Sequence, residues 1–206
     1  MTTPLSGYNP RMAPARPHNA MGLRLGKGVA GRIEGRVRVP GSKSLAQRAI
    51  MCAGLAAGTT EITGLPDGAD VRAALALVGA GTQDRARITG RPPAPRSGLS
   101  SEGPVSAGES GTLARFATAA FALCGNDGRV QEIRGEGSLL SRRSAALFEA
   151  LREAGAELEA ASNEDGWPVR VRSAARAPRL KIRNPASSQE VSALWIALAA
   201  WPGEST

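Results

Sequence analysis

The sequence predicts an α/β fold built from repeated strand–helix rounds. Two observations carry this reading. Segments of alternating polarity and segments with a helical apolar stripe succeed one another along the chain, and the succession restarts at intervals of roughly seventy residues. Each restart is also marked by a small, hydroxyl-rich turn running straight into a helix: Gly41-Ser42-Lys43-Ser44, Gly108-Glu109-Ser110-Gly111-Thr112 and Ser187-Ser188-Gln189. Two rounds read as complete. The third stops after its first helix and cannot bury its own apolar face, so the chain reads as part of something longer.

Taken in order, residues 1–26 mix Gly, Pro, Asn and Arg without periodicity and are expected to form a disordered extension. The ordered region then spans 27–206. Arg32–Val39 alternates as a half-buried strand does, and Pro40-Gly41 ends it. Ser42 is a good N-cap for a helix whose apolar stripe reads Leu45, Ala49, Cys52, Ala53 and Ala56, with Gly58 as the stop. Thr59–Thr63 reads as a strand, Ala69–Ala80 as a second helix, and 90–108 as turns between short strands. The second round opens with a helix striped by Leu113, Phe116, Ala117, Ala120, Phe121 and Cys124 and stopped by Gly125. It continues with a strand at Arg129–Arg134 and a helix at Ser141–Ala154, with Leu147, Phe148 and Leu151 inward. Segments 156–160 and 168–172 pair as strands, and Leu180–Arg183 is another. The last helix carries Val191, Leu194, Trp195 and Leu198.

Composition narrows the function. The chain has 206 residues, 42% hydrophobic but only 3% aromatic, so the core is built from Ala, Leu, Val and Ile. A formal net charge of +8, mostly from Arg, implies an anionic partner. Few aromatics for stacking and no nucleic-acid motif argue against DNA or RNA. With His18 as the sole histidine and no Cys-x-x-Cys, metal sites built on His and Cys and Ser-His-Asp catalysis are set aside. Cys52 and Cys124 fall in apolar helical patterns and read as buried free thiols of a reducing compartment. No apolar run suits a membrane span or a secretory signal, so a cytoplasmic protein without membrane partners is expected.

What remains is a small, multiply charged anion. The first turn of a helix presents unpaired N–H groups and the positive end of the dipole, and small residues let a phosphate or carboxylate approach them. One Ser-rich turn is usually only a cap. Three in register with a repeat can converge on one cleft. Lys43, Ser44, Gln47 and Arg48 share one helical face. Arg115 lies one turn into the second such helix, and Arg142 and Arg143 open the helix after Glu136-Gly137-Ser138. This distributed positive charge suits a ligand with several negative groups. Asp70, at a helix start, either caps or binds substrate. No Walker-type loop or dinucleotide fingerprint is present.

These motifs resemble those of a known family. Val39-Pro40-Gly41-Ser42-Lys43-Ser44 with Arg48 is similar to the opening signature of the 5-enolpyruvylshikimate-3-phosphate synthases. Ser110-Gly111-Thr112 with Arg115, Gly135-Glu136-Gly137-Ser138-Leu139 with Arg142, and Ser187-Ser188-Gln189 with Ser192-Ala193-Leu194 resemble three further signatures, in order. The sister family acting on UDP-N-acetylglucosamine lacks the Ser-Lys-Ser and Arg pattern. The resemblance implies an inside-out α/β barrel, three βαβαββ units per domain with helices inside short sheets, incomplete here. It implies transfer of the carboxyvinyl group of phosphoenolpyruvate to the 5-hydroxyl of shikimate 3-phosphate, without metal or organic cofactor.

By the same resemblance Lys43 contacts both substrates, and Ser44 and Arg48 hold shikimate 3-phosphate. Gly111 and Arg142 line the phosphoenolpyruvate site. Ser187, Ser188 and Gln189 hold the shikimate phosphate, and Gln189 also reaches phosphoenolpyruvate. Thr112, Arg115 and Asp70 are further candidates. The proton-transferring carboxylates belong to a C-terminal domain of the family. This chain is therefore expected to supply a half-site, inactive alone, whether as a binding module or as one half of a split enzyme completed by a complementary domain. Two residues depart from the family pattern: Glu109 stands where Asn is usual, and Arg143 where Pro is usual. Glu109 either repels an anionic ligand or pairs with a nearby Arg.

Overall fold

The computed structural model describes residues 39–81, 85–90, 99, 103–125, 129–161, 165–174 and 180–201. The expected N-terminal extension, the strand at Arg32–Val39 except Val39 itself, and most of the turn region 91–102 lie outside the described residues. So does the chain after Trp201.

The first round begins with α1, Lys43–Leu55, whose N-cap Ser42 accepts from the Leu45 amide at 3.4 Å. Its buried face is Ala46, Gln47, Ile50, Met51 and Gly54, joined by Ala53 and Leu55. The expected stripe was therefore rotated by one position. Leu45 is 69% exposed, and Ala49, Cys52 and Ala56 are exposed with it. The cause is Gln47, a polar residue on the inward face whose hydrogen bonds are met only in three dimensions. The helix ends at Leu55, and Gly58, with φ +86°, starts the next strand rather than closing the helix.

Strand β1, Gly58–Thr63, pairs antiparallel with β2, Arg85–Gly90, in the register Gly58↔Gly90 to Thr63↔Arg85. Between them lies α2, Ala69–Leu77. It stops before the expected Ala80 because Gly79 turns left-handed at φ +71° and the Ala80 amide closes back on the Leu75 carbonyl at 2.9 Å. The sequence offered little signal for β2, since only Ala86, Ile88 and Gly90 alternate inward.

The second round runs β3 (Val105–Ser106), α3 (Gly111–Cys124), β4 (Val130–Arg134), α4 (Ala145–Glu153), β5 (Glu157–Ala160) and β6 (Val169–Arg172). The strands form one sheet in the order β3-β4-β6-β5, with β3 parallel to β4 and the other two pairings antiparallel. All fourteen residues of α3 are buried, as befits a helix apolar all round. It packs on α1, α2, α4, β4 and β6, and on α5, Ser188–Ala199, which opens the third round. Ala114, Ala117, Ala119, Ala120 and Ala122 keep its surface small enough for this close approach.

Three further expectations change. The helix expected from Ser141 starts only at Ala145; Gly137–Ser141 forms a 3-10 turn, and Arg142 is extended before Arg143 bridges Gly166. Leu180–Arg183 is not a strand. Leu180 and Ile182 lie against the core, and Arg183 pairs with Glu153 of α4 at 2.5 Å. On α5 the inward residues are Glu190, Ala193, Leu194 and Ala197, leaving Trp195 72% exposed. Among the described residues no helix is long and apolar enough to cross a membrane.

Candidate functional site

The three hydroxyl-rich turns all cap their helices. Ser110 Oγ accepts from the Leu113 amide at 3.2 Å, and Ser187 Oγ accepts from the Gln189 amide at 3.1 Å. Glu190 reaches back to the Ser187 amide at 3.3 Å to complete a capping box. Ser42, Ser110 and Ser187 thus hold the helix starts in place. Ser44, second residue of α1, and Ser188, first residue of α5, are exposed.

These starts are tied to one another by side chains distant in sequence. Gln47, on α1, is fully buried and donates to Ser110 Oγ at 2.7 Å and to the Asp70 carbonyl at 3.3 Å. Arg48 donates to the Ser44 carbonyl at 3.0 Å and to Ser192 Oγ on α5 at 3.4 Å, with its guanidinium 5.4 Å from the Phe116 ring centre. Arg115, on α3, donates to the Gly111 carbonyl at 2.9 Å, Gln189 Oε1 at 3.1 Å and the Arg143 carbonyl at 3.2 Å. It stacks 5.6 Å from Trp167, which is itself fixed by its indole N–H to Thr118 Oγ1 at 3.1 Å. Links α1–α3, α3–α5 and α1–α5 close a triangle.

The cations around this triangle differ in setting. Lys43 is exposed, with Nζ 2.8 Å from Asp70 Oδ2. Asp70 therefore does not cap α2, whose N-cap is Gly68 without a side-chain bond. Arg115 is buried, and burial pushes its guanidinium down from the usual value, with Glu190 opposing. Arg142 is exposed and donates to Ser138 Oγ at 3.2 Å. A Cβ on Gly111 would fall 2.7 Å from Arg115 Nη1 and 3.0 Å from Arg142 Nη1, so both guanidinium groups lie against the first turn of α3. Thr112 is buried in that turn. Glu109 accepts from the Ser138 amide at 3.2 Å, and the Ser138 hydrogen bonds, then Arg142, hold its carboxyl below the usual range.

The structure thus brings Arg115 together with Gln189, Gly111 and Arg142, and Arg48 together with Ser44 and Ser192. Lys43 with Asp70 lies at the start of α1. Ser187 is engaged in capping. Sequence reasoning missed Glu190, buried with Oε1 unpartnered among the described residues, although Ser187-x-x-Glu190 spells the capping box. It also missed Trp167. Among the described residues no group of three His, Cys, Asp or Glu side chains is placed to hold a metal ion.

Comparison with known proteins agrees with this arrangement of motifs. The sequence profile of the EPSP synthase (3-phosphoshikimate 1-carboxyvinyltransferase) family matches residues 29–206. The 3-phosphoshikimate 1-carboxyvinyltransferase of Klebsiella pneumoniae subsp. pneumoniae is 37% identical over 171 residues, covering 79% of this chain and 39% of its own length. That of Chelativorans sp. strain BNC1 is 34% identical over 198 residues, covering 94% and 41%. The solved EPSP synthase from Acinetobacter baumannii superposes with a TM-score of 0.66 at 26% identity, over 79% of this chain and 37% of that one. The chain spans about two fifths of the length of these relatives. With a profile match from residue 29 to 206 and four signatures in order, the chain belongs to the EPSP synthase family.

Proposed function

We propose that this chain carries the substrate-gripping half of a 3-phosphoshikimate 1-carboxyvinyltransferase. The overall reaction moves the carboxyvinyl group of phosphoenolpyruvate onto the 5-hydroxyl of shikimate 3-phosphate and releases phosphate. The observation that carries the reading is the triangle: Gln47–Ser110, Arg115–Gln189 and Arg48–Ser192 tie three helix starts together, with Lys43 on Asp70 and Arg142 on Ser138 adding to the two arginines of the links. Two substrates that each carry a phosphate and a carboxylate require such a spread of donors. In this proposal Lys43, Ser44, Arg48, Ser188 and Gln189 grip shikimate 3-phosphate, with Ser187 holding the helix start that faces its phosphate. Gly111, Arg142 and Gln189 face phosphoenolpyruvate, and Lys43 serves both.

Addition to the double bond of phosphoenolpyruvate and loss of phosphate need one group to take the hydroxyl proton and another to protonate the methylene carbon. We assign neither to this chain. They are proposed to come from a complementary domain, since this chain covers about two fifths of its relatives. The domain proposed for 27–206 is an inside-out barrel of βαβαββ units, a reading supported by the β-α-β-α-β-β order from β3 to β6. Calorimetric titration of the purified chain with shikimate 3-phosphate tests the site. Binding lost in Lys43→Ala and Arg48→Ala is the expected result. Equal binding by wild type and both variants sinks it, as does turnover by the chain alone for the half-site assignment.

A further inference from the structure

Glu109 is an acidic side chain in the middle of the cationic surface. It sits in the turn between β3 and α3, next to the cap Ser110, and Gly108 before it adopts φ +53°. Its carboxylate is not swung into solvent. Oε2 accepts from the Ser138 amide at 3.2 Å, and the carboxyl group lies flat against Gly137, where a Cβ would fall 2.6 Å from its carbon and from Oε1. Gly137 itself adopts φ +49°, where an L side chain is strained.

Ser138 is shared. Its hydroxyl accepts from Arg142 Nη2 at 3.2 Å while its amide donates to Glu109 Oε2 at 3.2 Å, so Glu109 and Arg142 meet on the same residue. Arg142 in turn reaches the first turn of α3, with Nη1 3.0 Å from a Cβ position on Gly111. The other charged group facing Glu109 is Asp70, already engaged with Lys43 at 2.8 Å. Among the described residues Arg142 is therefore the cation that shares Ser138 with Glu109.

We propose that Glu109 is an affinity-setting residue: its carboxylate acts as a resident counter-anion to Arg142 and the start of α3, and competes there with the carboxylate or phosphate of an incoming ligand. An incoming anion gains Arg142 only by sharing it with Glu109 or by turning it away from Ser138. The inference rests on the reading of Gly111 and Arg142 as an anion site. It adds that this chain holds that site at reduced affinity by means of a built-in carboxylate.

The test compares wild type with Glu109→Gln, which keeps an acceptor for the Ser138 amide and removes the charge, and with Glu109→Asp, which keeps the charge. The full chain is titrated with phosphoenolpyruvate, and separately with inorganic phosphate, following amide resonances of Gly111 and Ser138 at low and at high salt. Glu109→Gln is expected to bind about twofold to fivefold more tightly at low salt, the range of a single exposed charge, with the gain shrinking at high salt. Glu109→Asp stays near wild type. Equal or weaker binding by Glu109→Gln, with wild type binding measurably, overturns this proposal alone. No binding of either probe by wild type and Glu109→Gln alike overturns the anion-site reading and this proposal with it. Should Glu109→Gln fail to fold, Glu109→Asn carries the same comparison.

Discussion

Replacing Gln47 separates the amide's hydrogen bonds from its volume, and the structure sets the size of each. Its Nε2 donates to Ser110 Oγ at 2.7 Å and to the Asp70 carbonyl at 3.3 Å, while Oε1 is buried without a partner among the described residues. The short bond contributes about 1 kcal/mol and the long one less. Against them stands the unpartnered Oε1, whose desolvation costs about 1–3 kcal/mol. Gln47→Met fills the same space, loses both bonds and relieves the orphan, so the terms nearly cancel. Its stability is expected within about 1 kcal/mol of wild type. Ser110 keeps its acceptor role toward the Leu113 amide. Gln47→Ala makes the same polar exchange and also leaves a cavity beside Ile50 and Met51. It is expected to fall about 2–4 kcal/mol below wild type. For a domain of this size that is a Tm drop of roughly 4–16 °C, read with urea midpoints at constant m. A Gln47→Ala protein as stable as wild type refutes the packing argument. A Gln47→Met protein as unstable as Gln47→Ala shows that the hydrogen bonds outweigh the volume.

Gly111→Ala places a methyl group against Arg115 and Arg142. Titration with phosphoenolpyruvate should show binding weakened about tenfold, the value of one charge-assisted hydrogen bond, and an unchanged affinity would refute the role of that close approach. Arg115→Lys loses the fork that satisfies Gly111, Gln189 and Arg143 together and should cost about 2–4 kcal/mol in urea unfolding. A loss under 1 kcal/mol would show that one ammonium suffices, to order of magnitude. Burial pushes the Cys124 thiol up to about 12; partial burial raises the Cys52 thiol too, but that side chain remains exposed. A thiol reagent near neutral pH should therefore label Cys52 in the folded chain and Cys124 only after unfolding, and equal rates would contradict the burial of α3. The Glu109 carboxyl is held low in the folded chain, so its contribution to stability is present at neutral pH and disappears as pH falls through that lowered value. Melting curves through the acid range should show the extra loss in wild type and not in Glu109→Gln.

The helix starts were more legible than the packing, for a physical reason. Helix starts are written locally: a hydroxyl at Ser42, Ser110 or Ser187, small neighbours and a cation within one turn are all within a few residues of each other. Every candidate cation was placed beside a helix start on that basis. The Arg142 segment was misread because a 3-10 turn and the bridge from Arg143 to Gly166 replace the expected helix start, and that bridge joins residues far apart in sequence. Asp70 was read as a cap or a ligand, while its partner Lys43 lies on another helix.

Which face of a helix turns inward depends on partners that the local pattern does not contain. On α1, counting apolar residues selects Leu45, Ala49 and Cys52, whereas the inward face includes Gln47, acceptable there because Ser110 waits 63 residues away. On α5, Trp195 is the bulkiest apolar residue and yet points outward, while Glu190 is buried at the start of the same helix. These two inversions have one origin. Gln47 and Glu190 are polar residues turned inward at the ends of α1 and α5 that meet α3, and each gives up apolar burial on its own helix to hold a helix start in register. An apolar replacement at Gln47 would leave the start of α1 without its link to the Ser110 cap, and one at Glu190 would leave the Ser187 amide without its acceptor. The mismatch between pattern and packing therefore falls at residues bonded to helix starts, Gln47 to the Ser110 cap of α3 and Glu190 to the Ser187 amide of its own α5.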